Sequence, residues 1–186
     1  MNFQPNLRMD KAAFIAWMQA NEGRHELVGG RVVMMSGGSM AHAMIVMNLA
    51  SLLRDQLDRK QWTVVAEFGL DAGPETLRYP DIVVDRAGGG AKIYTATAPV
   101  LLTEVLSPST AAIDLGDKAA EYLQLPSLLA YIVLSQDEPK AWVYARADTK
   151  FTPGPAVITG TEAVIRIAAL QLQLPLAEIY DGIKMD

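Results

Sequence analysis

A chain of 186 residues, 51% hydrophobic and 20% charged, is long and apolar enough to close one core without disulfide or metal staples. It has no cysteine, which excludes disulfides, thiolate metal sites and a cysteine nucleophile. A net charge of -5 argues against a broad basic face that coats nucleic acid, although acidic metal ligands add negative charge that a bound cation would reverse locally.

No apolar run approaches the roughly 18–20 residues a membrane-spanning helix needs. The segment Met1–Asp10 is polar and carries Arg8, so no signal peptide, no membrane partner and a cytoplasmic location are expected. A single domain over residues 1–186 is expected, without repeats or low-complexity linkers.

In chain order, Asp10 is placed to cap a helix over Lys11–Asn21. His25–Val28 and Arg31–Met35 read as short strands joined at Gly29-Gly30, a two-residue hairpin signal because both glycines accept positive φ. From Ser39 to about Arg59 the stripe Ile45, Leu49, Leu52, Leu53 and Leu57 predicts a long amphipathic helix. Trp62–Phe68 reads as a strand, a loop carries Gly73-Pro74, and Arg78–Asp85 reads as the next strand.

Val100–Leu106 is a nearly continuous apolar run, the pattern of a strand buried on both faces, and Ser107-Pro108-Ser109-Thr110 breaks it. A helix is predicted from about Asp114 to Leu125, stopping before Pro126. Ala130–Ser135 reads as another buried strand with Lys140–Ala145 as its partner, and the tail ends in a short helical turn near Leu176–Tyr180. From Ser39 the order is helix, three strands, helix, strand, an α/β layout with a central mixed sheet between two helices.

Two acids interrupt these apolar strands. Asp81 stands between Tyr79-Pro80 and Ile82-Val83-Val84, and Glu104 lies inside the Val100–Leu106 run. Burying an ionised carboxylate costs several kcal/mol, of order 3 or more, unless a cation or donors compensate it. One strand acid is most simply explained by a neighbouring arginine or a loop cap. Two on successive strands point to a shared partner, and magnesium or manganese suits carboxylate ligands. Asp114, Lys118 and Tyr122, spaced i, i+4, i+8, share one helix face. They read either as a solvated pair beside a tyrosine or as a device that directs Lys118 back at the end of the Glu104 strand.

The segments HELVGGRVVMMS (25–36), RYPDIVV (78–84), TEVLSPST (103–110) and DLGDKAAEY (114–122) together resemble the Uma-two family of restriction-type endonucleases, within the PD-(D/E)XK superfamily. The resemblance runs from about residue 8 to 181. It implies a restriction-endonuclease-like αβββαβ core, a central mixed sheet flanked by helices, preceded by an N-terminal helix and β-hairpin. Pro80-Asp81 matches the first acidic motif and Glu104 the second. The lysine expected two residues after that acid is Leu106 here, so the motif is broken, and Lys118 on the following helix matches the relocated lysine of similar families.

Glu26 matches an N-terminal acid of the family, either a third metal carboxylate or a brace between hairpin and site helix. His42 matches a recurring family position, with an ordinary structural role weighed against contact with phosphate or a metal-bound water. Glu67, at a strand end, is a weaker candidate. The expectation is a magnesium- or manganese-dependent endonuclease. Asp81, Glu104 and the backbone carbonyl of Val105 would hold the metal, with Lys118 positioning the attacking water and Tyr122 as an accessory. DNA is the expected partner, and nothing in the sequence separates it from RNA. A homodimer is compatible with restriction-type enzymes, but no dedicated dimer element is visible. The alternative is a non-catalytic descendant that keeps the fold as a binding or regulatory module.

Overall fold

In the computed structural model, which describes residues 3–35, 37–106 and 113–184, strand β1 (Phe3–Arg8) leads into helix α1 (Lys11–Ala20). The helix starts where it does because Asp10 accepts the N–H of Ala13 at 2.8 Å, satisfying one of the unpaired donors of the first turn. Strands β2 (His25–Val28) and β3 (Arg31–Met34) meet at Gly29 and Gly30, whose φ values of 54° and 75° lie where a side chain would be strained. Strand β1 was not legible as such; it is extended because it pairs with β3.

Helix α2 (Met40–Gln56) is capped by Ser39, whose hydroxyl accepts the N–H of His42. Ile45, Leu49 and Leu53 are fully buried on its predicted stripe. Strand β4 (Trp62–Ala66) follows. The expected loop around Gly73-Pro74 is instead a hairpin of β5 (Leu70–Gly73) and β6 (Thr76–Arg78). The expected single strand Arg78–Asp85 is divided at Pro80, which has no N–H to give a ladder. As a result β6 joins one sheet and β7 (Ile82–Arg86) the other.

The remaining elements are β8 (Leu101–Leu106), a π-helical turn at Asp114–Lys118 that continues as α3 (Ala119–Tyr122), β9 (Ala130–Ser135), β10 (Lys140–Ala147), β11 (Lys150–Phe151), β12 (Ala156–Thr159), β13 (Val164–Ile167), β14 (Leu172–Pro175) and α4 (Leu176–Ile179). The predicted break at Ser107–Thr110 lies outside the described residues.

The larger sheet runs β11-β10-β9-β8-β7-β4, with β12 also on β10. Its β8–β9 pair is parallel and the others are antiparallel, so the sheet is mixed as expected. The smaller, antiparallel sheet runs β1-β3-β2-β6-β5. Because side chains alternate along a strand, Ile82, Val84, Leu101, Val105, Ile132 and Leu134 face α2 and α4 in one core. Val83, Leu102, Leu106, Tyr131 and Val133 face Ala119 and Tyr122 in the other. A third core joins α1 to the small sheet through Phe14, Leu27, Val32 and Leu77. Asp81 and Glu104 have the parity of the second face, so both point under the crossover that carries Lys118. Among the described residues no helix is long and apolar enough to cross a membrane.

The packing of α2 sets a first expectation. Leu49→Ala, at a position with no exposure, should lower unfolding free energy by about 2–5 kcal/mol. Met47→Ala on the same helix, where the side chain is 69% exposed, should stay within about 0.5 kcal/mol. Urea denaturation followed by circular dichroism measures both, and equal losses would contradict this assignment of the buried face.

Candidate active site

The antiparallel register pairs Ile82 with Thr103, which puts Asp81 directly across from Glu104 at the adjoining step. Both are buried, at 6% and 4% exposure. One Asp81 oxygen, Oδ2, accepts the N–H of Val105 at 2.7 Å; the other, Oδ1, lies 3.1 Å from Nε2 of His42. In a strand the N–H and C=O of one residue face the same neighbour, so the Val105 carbonyl is also turned to the Asp81 side.

Lys118 comes from the crossover between the parallel strands β8 and β9. Its Nζ lies 2.9 Å from Glu104 Oε1, 3.0 Å from Asp114 Oδ1 and 4.0 Å from Glu26 Oε1. Among the described residues Asp114 Oδ1 has no aligned hydrogen-bond partner, so its pairing with Lys118 is Coulombic. Tyr122, fully buried, donates to Glu104 Oε1 at 2.9 Å and packs edge-on against Tyr131. The Tyr131 hydroxyl donates to the carbonyl of Asp114, which ties the π-helical turn to β9. The single face predicted for Asp114, Lys118 and Tyr122 is thus the inward one. The expected regular helix opens as a π turn, a distortion common where side chains must be presented at a site.

Glu26 arrives from the other sheet because β2 pairs with β6 through Leu27 and Leu77. Its two oxygens accept from Arg78 and from the N–H of Tyr79, both at 3.1 Å. Arg78 in turn holds Glu121 on α3 through two bonds of 2.8 Å. This is the bracing arrangement, hairpin to site helix, of the two roles open for Glu26. Arg78 and Glu121 carried no sequence signal, since their meaning depends on two sheets meeting. Glu67, just after β4, has a left-handed φ of 51° and pairs with Arg24 at 2.9 Å. Asp85, another buried acid, is engaged by the N–H groups of Arg86, Thr97 and Ala98 and is a loop cap remote from this cluster.

The electrostatics follow from burial and crowding. Burial pushes the Glu104 carboxyl up to about 8, with Asp81, Asp114 and Glu26 adding to the rise and Lys118 opposing it. Burial alone would favour a neutral Lys118 amine, but Glu104, Glu26 and Asp114 outweigh it and hold the ammonium. Burial likewise opposes the Arg78 charge, and Glu121 and Glu26 keep it. The hydrogen bond to Asp81 raises His42 above its ordinary value against the opposing effect of burial. Burial and the nearby Glu104 raise Tyr122 well above its own.

Asp81, Glu104, Lys118 and His42 line a cavity of about 80 Å³, room for several water molecules or a hydrated ion. Its walls carry four carboxylates, Glu26, Asp81, Glu104 and Asp114, against two fixed cations, Arg24 and Lys118. Among the described residues no three His, Asp or Glu side chains stand in ready ligating geometry, because Lys118 sits amid the carboxylates and His42 shares Asp81. Donor type and excess negative charge nevertheless suit a hard divalent ion.

The His42–Asp81 contact has a measurable consequence. Since the folded-state value is raised, the imidazolium contributes stability below the unfolded value of 6.5 and loses it as pH rises through the folded value. The chain has two histidines, so proton NMR resolves both. The His42 midpoint should lie above 6.5 and drop to that value or lower in Asp81→Asn; an unmoved midpoint would reject the pairing.

A family model described as "Uma2: Putative restriction endonuclease" matches residues 12–177. The chain is 28% identical over 184 residues to the protein slr1290 of Synechocystis, covering 96% of this chain and 95% of that one. It is 30% identical over 123 residues to sll1609 of the same organism, covering 63% and 69%. The crystal structure of a "putative nuclease belonging to DUF820" from Anabaena variabilis aligns with a TM-score of 0.71 at 15% identity, covering 87% of this chain and 94% of that chain. At that identity the likeness is one of fold. Taken with the sheet order and the match over residues 12–177, it places the αβββαβ core in the restriction-endonuclease-like class, and the chain belongs to the Uma2 family.

Proposed function

We propose that this protein is a metal-dependent endonuclease that hydrolyses phosphodiester bonds in DNA. The observation that carries this reading is the facing of Asp81 and Glu104 across β7 and β8, with the Lys118 ammonium 2.9 Å from Glu104. Lys118 returns to the second acid the cation that Leu106, turned into the core, does not supply.

Asp81 and Glu104 would hold magnesium or manganese, with the Val105 carbonyl as a further ligand. Such an ion supplies Lewis acidity, lowering the pKa of the attacking water and offsetting phosphate charge. Lys118 orients the water and stabilises charge developing on the phosphate oxygens. Tyr122 fixes the Glu104 carboxylate by its hydrogen bond, and Glu26, engaged by Arg78 and Tyr79, braces the cluster. His42 holds Asp81 and lines the cavity, where its imidazole can pass a proton.

The test is hydrolysis of supercoiled DNA, single-stranded DNA and RNA with manganese, at a temperature where circular dichroism finds each variant folded. That control matters, because removing one partner of a buried ion pair costs about 3–5 kcal/mol. Wild type should cut DNA, Glu104→Gln and Asp81→Asn should not, and Lys118→Met should be slower by about 100-fold or more. Cleavage kept by Lys118→Met but lost in Glu104→Gln would reject the lysine's role. No metal-dependent cleavage of any nucleic acid would favour the non-catalytic descendant.

A second expectation uses pH. The folded Glu104 value, about 8, lies above the ordinary 4.5, so folding takes up a proton between those values. Metal-free stability should therefore fall as pH rises across that window. Magnesium, binding the ionised form of the folded state, should raise the melting temperature more at pH 8.5 than at pH 6. A magnesium shift independent of pH, or retained in Glu104→Gln, would exclude Glu104 as a ligand.

A further inference from the structure

Arg24 immediately precedes β2, and it lines the same cavity as Glu26. Its carbonyl accepts the N–H of Met35 across the hairpin, which anchors the main chain at this point. Arg24 lines the cavity of Asp81 and Glu104 and also a neighbouring cavity of about 170 Å³. It therefore forms part of the wall between them.

Its guanidinium differs from the other cations nearby. Lys118 is buried against Glu104 and Asp114, and Arg78 against Glu26 and Glu121. The Arg24 side chain is 39% exposed, and its ionic partner among the described residues, Glu67, is 50% exposed. An ion pair open to water on both sides is weak and readily exchanged. Lys118 and Arg78 would leave buried carboxylates uncompensated if they moved; Arg24 would leave only a solvated one.

The position of Glu67 is itself unusual. A left-handed φ is unfavourable for a residue with a side chain, and Glu67 adopts it where its N–H, continuing the β4–β7 register, donates to the carbonyl of Asp81 at 3.1 Å. The counter-ion of Arg24 is in this way fastened to the same backbone step that presents the first acidic residue of the site. Meanwhile the cavity walls are dominated by carboxylates and the chain carries a net charge of -5, so a polyanion needs a specific cation at the entrance.

We propose that Arg24 is the substrate-phosphate clamp of this site: it leaves Glu67 and forks onto a backbone phosphate of the nucleic-acid strand, with Glu67 as its resting counter-ion. The planar fork matches two phosphate oxygens, a geometry a lysine does not reproduce. The assignment rests on the nuclease reading, whose substrate it contacts. It makes Glu67 a competitor of the substrate, so the two side chains have opposite effects on binding.

The experiment compares wild type, Arg24→Met, Arg24→Lys and Glu67→Gln, each checked for folding by thermal melt. A fluorescein-labelled single-stranded DNA is titrated by anisotropy in calcium over a range of salt concentrations. In parallel, inorganic phosphate is titrated while the Arg24 Nε–H resonance is followed by ¹⁵N NMR. Arg24→Met should weaken DNA binding by about tenfold or more and reduce the log–log salt slope by about one. Arg24→Lys should restore part of the affinity, and Glu67→Gln should tighten binding by roughly threefold. The Arg24 resonance should move with phosphate, and at lower phosphate in Glu67→Gln.

Unchanged affinity and salt slope in Arg24→Met, or weaker binding in Glu67→Gln, would overturn the clamp even if the protein cuts DNA. Wild type that binds neither the oligonucleotide nor phosphate would overturn it as well. DNA bound through Arg24 but never cut with manganese would instead support the clamp while rejecting hydrolysis.

Discussion

The site depends on one buried ammonium. Lys118 reaches Glu104, Asp114 and Glu26, three carboxylates drawn from a strand, a π turn and a hairpin of the other sheet. Without that positive charge the segments that converge here would repel one another in a medium that screens poorly. The exposed pairs of the chain, such as Lys11 with Asp71, contribute little by comparison. Around the ammonium a second layer fixes direction: Tyr122 on Glu104, Tyr131 on the Asp114 carbonyl, and Arg78 bridging Glu26 to Glu121. Through Arg78 and Glu26 of the smaller sheet and Glu121 of α3, this layer ties that sheet to the crossover packed on the larger one.

Much of the fold was legible because local rules and burial agree. The α2 stripe, the Gly29-Gly30 turn, the Asp10 cap and the two buried strands β8 and β9 each follow from period, turn chemistry or composition. The misreadings have physical causes. Strand β1 takes its identity from β3 and β6 is held by β2, partners remote in sequence, while the local β5–β6 hairpin is built of strands too short to carry a readable pattern. Pro80 was present in the sequence, but the consequence of its missing N–H, a strand shared between two sheets, appears only when both sheets exist.

The site divides along the same line. Asp81, Glu104 and Lys118 stood out as charges in apolar or periodic settings, and the structure brings them together at one end of the β7–β8 pair. Glu26 was recognisable, but its bracing bonds from Arg78 and Tyr79 appear only where the two elements meet. Arg24, Arg78 and Glu121 had no signal, since each is an ordinary charge in a polar stretch. Asp85 teaches the converse: an acid at a strand end, buried to the same degree as Asp81, is consumed by three backbone donors and a loop.

The parallel pairing of β8 with β9 has a consequence for how the protein comes into being. Parallel neighbours require a crossover, and this crossover is the segment that carries Lys118. During synthesis from the N-terminus, the two acids of the β7–β8 pair are made before their counter-charge, and the docking surface of the crossover lacks its Tyr131 and Val133 side until β9 through Ser135 is complete. Closing so distant a contact is slow relative to local helix and hairpin formation. Assembly of the acidic centre is therefore a late event of vectorial folding, and a nascent chain shorter than this point has strands and helices but no organised centre.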